Sequence, residues 1–119
     1  MKPNLTVYIQ APNHEKGYQM VNFSGEFDKA GHSEVRETIS KCVNDFQEKD
    51  LIFDFSNLKF INSEGIGYLM EIHTHLKKHD RRLIVIDLQP QIKDVFDTIG
   101  ISAVIPVYKD LNFYQNIGS

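Results

Sequence analysis

The stretch from Leu51 to Gly67, LIFDFSNLKFINSEGIG, constrains the fold more than any other part of the chain. Leu51, Ile52, Phe53 and Phe55 form an apolar run broken only by Asp54. Such a run reads as a strand buried on both faces, as strands of a parallel sheet usually are. Ser56-Asn57 then predicts a turn and Phe60-Ile61 a brief return to the core. Asn62-Ser63-Glu64-Gly65 opens a helix with apolar positions at Ile66, Leu69, Met70 and Leu76. Asn and Ser are favoured at helix starts because their side-chain oxygens accept orphan backbone N–H groups, and Glu64 suits the positive end of the helix dipole. A serine is thus expected where a buried strand hands over to a helix.

The segments on either side extend this pattern. Leu5, Val7, Ile9 and Ala11 alternate with Thr6, Tyr8 and Gln10, the period of two of a half-buried strand. The polar turn from Pro12 to Gly17 and the extended Tyr18 to Phe23 then make a hairpin. Ser24 to Asp28 reads as a loop. From His32 the period changes: Val35, Ile39, Cys42, Val43 and Phe46 lie on one stripe of an amphipathic helix. After the helix from Ser63 to about Lys78 come a polar break, His79 to Arg82, and a second continuous apolar strand, Leu83 to Ile86. Pro90 suits a first helical turn, Ile92, Val95, Phe96 and Ile99 form its apolar stripe, and Gly100 suits the stop. Ala103 to Val107 predicts a short edge strand, and Asp110 a cap for a last helix through Gln115, with the terminal Gly118-Ser119 frayed.

This order predicts a single α/β domain over residues 1–119, with a mixed, mainly parallel sheet of four to five strands and about four helices. Right-handed crossovers would bring Gly25 to Asp28, Asn62 to Gly65 and Asp87 to Gln89 to one surface, at the carboxyl ends of the parallel strands.

Composition narrows the function. The 119 residues carry 13 Lys and Arg against 16 Asp and Glu, interspersed, so no basic stripe points to nucleic acid as a direct partner. The one cysteine, Cys42, lies in an apolar helical stripe and suits a reduced, buried thiol of a cytoplasmic protein. No apolar run approaches the roughly 18 to 20 residues of a membrane span. His75 and His79 share a helix face, but without a Zn-type motif they read as a solvated face, and no metal or other cofactor is expected. No Gly-x-Ser-x-Gly elbow surrounds Ser63, so an enzyme is not expected. Two readings of Ser63 stay open: a structural cap, or a phosphorylation site whose phosphate would meet free N–H groups and a favourable dipole.

Together, Gly25-Glu26-Phe27-Asp28, Asp54-Phe55-Ser56, the Phe60 to Gly67 loop, the Leu83 to Ile86 strand, Val95-Phe96 and Ile99-Gly100-Ile101 resemble a STAS domain, the fold of bacterial anti-sigma-factor antagonists. The resemblance covers nearly the whole chain. It implies a cytoplasmic, signal-transducing phosphoprotein of partner switching and transcription regulation; a monomer is the expected state, which the resemblance itself leaves open. In such antagonists the loop usually reads Asp-Ser-Ser/Thr-Gly; its first serine is phosphorylated by an anti-sigma-factor serine kinase and dephosphorylated by a PP2C-type phosphatase. Ser63 matches that serine and Gly65 the glycine, whereas Asn62 replaces the aspartate and Glu64 the second hydroxyl residue. The resemblance implies partner binding by Asp28, Asn62, Ser63, Glu64 and Gly65: Asp28 and Asn62 shape the edge, and Gly65 lets the partner approach the backbone. The alternative it leaves is a STAS scaffold subunit of a signalling or transporter complex, working without phosphorylation.

Overall fold

The computed structural model describes residues 2–118; Ser119, where fraying is expected, lies outside the described residues. The elements are β1 (Leu5–Ile9), β2 (Tyr18–Phe27), α1 (Lys29–Asp45), β3 (Asp50–Ile61), α2 (Ser63–Lys77), β4 (Arg82–Ile86), α3 (Pro90–Ile99), β5 (Val107–Tyr108) and α4 (Leu111–Phe113), followed by a wide helical turn, Tyr114–Gly118. The sheet order is β1-β2-β3-β4-β5. β1 pairs antiparallel with β2, and the remaining neighbours are parallel. Each crossover steps to the adjacent strand in the same direction, so the right-handed rule places α1, α2 and α3 on one face. The main core lies there, where Phe23, Phe27, Phe53 and Phe55 pack beneath Val35, Ile39, Leu69, Ile72 and Phe96.

The opposite face is covered only in part. Tyr18, Met20, Ile52, Ile84 and Ile86 are sealed by Tyr114, with Leu111 and Tyr108 packed against them. Beyond this cover the face becomes polar, and a side-chain ladder crosses it: Gln10 Nε2 donates to Asn22 Oδ1 at 2.7 Å, and Asn22 Nδ2 to Asp54 Oδ2 at 2.9 Å. A satisfied ladder of this kind tolerates water where a bare apolar face would not.

Several expected boundaries move. Ser24 to Phe27 continues β2, because Gly25, at φ +118°, and two register shifts against β3 let the strand bend without leaving the sheet. α1 therefore starts at Lys29, three residues before His32, with Asp28 as its cap. Ser56-Asn57 lies inside β3 rather than in a turn; Ser56 N donates locally to Asp54 Oδ1 at 2.9 Å, and pairing resumes at Asn57 opposite Ser24. The edge strand is only Val107–Tyr108, since residues 101–103 form a tight helical turn instead. Gly100, at φ +82°, does end α3, and Asp110 Oδ1 accepts from Phe113 N at 2.8 Å as the cap of α4.

Candidate functional site

The site is built where β2 and β3 hand over to their helices. Phe27 and Ile61 are partners in the parallel ladder, and Asn62 N donates to Phe27 O at 3.3 Å. The heads of α1 and α2 therefore open side by side on one rim. The Asp87 to Gln89 loop does not join them. Ile86 stands opposite Asp54, so β3 runs on past β4 from Phe55 to Ile61, roughly 20 Å at about 3.3 Å per residue. Gln89 Nε2 accordingly donates to Ser56 O at 2.7 Å, near the middle of β3. Consecutive parallel strands place their ends together only when their lengths match, and β3 is much the longer.

Asn62 is the N-cap of α2. Its Oδ1 accepts from Glu64 N at 3.1 Å and Gly65 N at 3.4 Å, and its carbonyl accepts from Ile66 N at 2.9 Å. The amide thus supplies the acceptor that an aspartate would supply, without the charge. Capping by Asn62 relieves Ser63 of that task. Ser63 is the first helical residue and is exposed, and among the described residues no hydrogen bond holds its Oγ. Glu64 follows, also exposed, in the first turn.

Asp28 plays the matching part for α1. Its Oδ1 accepts from Gly31 N at 2.8 Å, and Asn4 Nδ2 lies 3.3 Å from both carboxylate oxygens. The Gly31 N–H bond, aided by Asn4, holds the Asp28 carboxyl below the usual carboxylate range. The rim therefore carries a firmly ionised carboxylate beside the exposed serine's helix.

Gly65 has a different role from the one its sequence position implies. It is buried, and a Cβ there would stand 2.5 Å from Phe27 O and 2.7 Å from Ile61 Cγ1. It lets α2 lie against β2 and β3 and presents no backbone to a partner. The open glycine is Gly67, exposed and with nothing within 4 Å of a Cβ position. Phe60 also departs from expectation: it is 46% exposed, next to buried Ile61, and it faces outward opposite Glu26 on the uncovered side of the sheet. Alternation along the strand was the available signal, because Ile61 must point inward to meet Phe27 and Gly65. Among the described residues, no group of three or more His, Cys, Asp and Glu is placed to hold a metal ion, and His79 Nδ1 is engaged with His75 O at 2.9 Å.

A tyrosine helps fasten α2 to α1. Tyr68 is 5% exposed, shares a 2.9 Å hydrogen bond with Ser40 Oγ, and donates to Arg36 O at 3.3 Å. Burial pushes its phenol pKa up. The head of α2 is thus set on a fixed support: cap beneath, glycine contact behind, tyrosine clasp one turn along.

The sheet with its helices on one face is an α/β fold of the STAS class, and residues 8–114 match the family pattern of the STAS domain. The chain belongs to the STAS domain family. A curated relative, the anti-sigma F factor antagonist of Paenibacillus polymyxa, is 24% identical over 95 residues, covering 80% of this chain and 81% of the relative. An anti-sigma factor antagonist from Mycobacterium paratuberculosis superimposes with a TM-score of 0.78 at 23% identity, covering 91% of this chain and 88% of that one. The anti-sigma factor antagonist SpoIIAA in its unphosphorylated form gives 0.74 at 18% identity, covering 95% and 96%. A structure of Bacillus SpoIIAA in its phosphorylated form gives 0.68 at 18% identity, covering 94% and 99%. No helix among the described residues is long and apolar enough to cross a membrane.

Proposed function

We propose that this chain is a protein-binding module of the anti-sigma-factor-antagonist type, switched by phosphorylation of Ser63. In its unmodified form the rim made by Asp28, Asn62, Ser63 and Glu64 engages a serine kinase of the anti-sigma type. Phosphorylation ends that contact, and a PP2C-type phosphatase restores it. The observation that carries this reading is the free, exposed hydroxyl of Ser63 at the head of a capped helix, where β3 hands over to α2.

The physics favours a switch of affinity over a switch of fold. A phosphate adds roughly 1.5 to 2 negative charges at neutral pH. The helix dipole tolerates that charge, but Asn62 Oδ1 already occupies the Glu64 and Gly65 N–H groups, so the phosphate faces outward. Asp28 and Glu64 add like charge on the same rim. A partner docking there would desolvate an unpaired dianion, which costs several kcal/mol, and about 5.5 kcal/mol carries a two-state equilibrium from 1:99 to 99:1.

The test is calorimetric binding of the cognate anti-sigma-type serine kinase to unmodified protein and to protein carrying genuine phosphoserine at position 63, with intact mass verifying the modification. The expected outcome is at least about a hundredfold weaker binding of the phosphoprotein, some 3 kcal/mol, and full binding by Ser63→Ala. Equal affinity of both forms overturns the switch. Binding of neither form, together with absence of phosphate on Ser63 in cells under every growth condition, favours the unphosphorylated scaffold instead.

A further inference from the structure

One edge of the sheet is β1, which begins the strand order. Glu26 N donates to Asn4 O and Gln10 N to Met20 O, each at 2.9 Å, while Thr6 stands opposite Ser24 and Tyr8 opposite Asn22. In an antiparallel ladder successive residues alternate in the side to which their backbone groups point. Asn4, Thr6, Tyr8 and Gln10 therefore bond to β2, and Leu5, Val7 and Ile9 turn their N–H and C=O groups outward. Leu5 N is met by Glu34 Oε1 at 3.2 Å. Val7 and Ile9 have no strand on that outward side.

An open cleft of about 620 Å³ runs between this edge and α1. Ile9, Pro12 and half-buried Cys42 give it an apolar side, and Glu34, Glu37 and Asp45 give it an acidic one. Its lysine, Lys41, is drawn to Asp45 at 2.9 Å. Burial, and then the Asp45 carboxylate, pushes the Cys42 thiol up, so the sulfur adds no charge. A free strand edge beside a helix-walled cleft has the two parts of strand-addition recognition: backbone hydrogen bonds supply affinity, and side-chain pockets supply selectivity.

We propose that this cleft receives an extended segment of another protein as an added strand along β1, and that the segment alternates lysine or arginine with small apolar residues. Side chains of an added strand alternate in face, so the cations point to α1, where Glu37 and Asp45 meet their charged ends and Ile9, Pro12 and Cys42 pack along their methylene stems, while the small apolar residues face the other way. A second copy of this chain is a poorer occupant, because Leu5–Ile9 reads Leu-Thr-Val-Tyr-Ile and brings no cation to answer Glu37. Pro3 and Pro12 bracket the edge and cannot donate backbone hydrogen bonds, so the ladder is confined to the span between them. This surface is separate from the Ser63 rim, and its test uses no kinase.

The probe is a capped heptapeptide alternating lysine and valine, added to the full chain and followed by amide hydrogen exchange and nuclear magnetic resonance. Exchange at the Val7 and Ile9 amides is expected to slow about tenfold or more on saturation, since each gains a ladder bond. A peptide N-methylated at alternate residues keeps its charge and loses its ladder, and it is expected not to bind. Glu37→Lys, at an exposed helical position, is expected to weaken the parent peptide about tenfold. Equal binding of the N-methylated peptide, or no slowing at Val7 and Ile9, overturns the proposal. Concentration-dependent slowing without peptide, accompanied by a dimer in sedimentation, assigns the edge to a second copy and overturns it equally.

Discussion

The two ends of β3 place polar residues under opposite conditions. At its start Asp50 is 3% exposed, and its carboxylate is surrounded: Arg82 Nε donates to Oδ1 at 2.9 Å, Arg82 Nη2 to Oδ2 at 3.0 Å, and Tyr114 Oη to Oδ2 at 2.5 Å. At its far end β3 passes through the Asn62 cap to Ser63, which is exposed and whose hydroxyl holds no partner among the described residues. A carboxylate withdrawn from water must have its lone pairs matched, so Asp50 draws in β4 and the C-terminal turn and becomes structural. A hydroxyl left in water needs no such matching, so Ser63 stays available for modification and for docking. The same strand anchors the fold at one end and offers a changeable surface at the other.

The comparison is broken most forcefully at the anchored end. Asp50→Ala leaves Arg82 and the Tyr114 hydroxyl without their shared acceptor, and about 3 kcal/mol of unfolding free energy is expected to be lost in urea titration. Arg82 is partly solvated, which keeps the figure at the low end of such losses. A loss under about 1 kcal/mol would make the cluster an ordinary surface pair. Gly65→Ala comes next. The new methyl meets Phe27 O, a backbone atom that cannot swing away, and about 2 to 3 kcal/mol is expected to be lost, with α2 shifted as seen by amide chemical shifts along its first turn. Asn62→Ala removes the acceptor for two N–H groups and is expected to cost about 1 kcal/mol and speed amide exchange at Glu64 and Gly65. Asn62→Asp is expected to retain the cap, which separates the cap's hydrogen bonds from its charge.

The smallest expected effect concerns Asp87, at φ +61° after β4. Burial, and then the neighbouring Asp54 and Asp110 carboxylates, pushes its pKa up. The folded state therefore holds this proton more tightly than the unfolded chain does, and ionising the group with rising pH works against folding. Asp87→Asn is expected to stabilise the protein at pH 7 by about half a kcal/mol, because solvent screens much of the repulsion. Asparagine also accepts the left-handed backbone. The gain is expected to shrink as pH falls through the folded-state pKa, where Asp87 protonates unaided; a gain independent of pH would trace it to backbone preference alone. Asp28 has the opposite sign. Its lowered pKa means that its stabilisation is present above the usual aspartate value and is lost as pH falls through the folded-state value.

Much of this was legible in residue order. The apolar runs of β3 and β4 announced buried parallel strands, the i, i+4, i+7 stripes placed the three long helices, and Gly100 marked the end of α3 and Asp110 the start of α4 as expected. Other features were hidden because they depend on neighbours remote in sequence. Ser24 to Phe27 looked like a loop, since Gly25 breaks alternation, yet pairing with Leu5 and Thr6 on one side and with Asn57–Ile61 on the other keeps it in the sheet. Phe60 looked like core by hydrophobicity, and only the pleat turns it out. Asp50 stood at the end of an acidic-basic segment with nothing local to show that Tyr114, 64 residues away, would close over it.

By itself the amino-acid order determined the α/β alternation, the caps of α2 and α4 and the serine at a strand-to-helix junction, because capping and periodicity are interactions within a few residues. Only the tertiary structure decided that Asp28 and Asn62 share a rim, that Asp87 lies far from it, and that Gly65 faces inward. Those outcomes depend on strand register and strand length, and register is settled by how two faces of the sheet bury their side chains together, a condition no single segment carries.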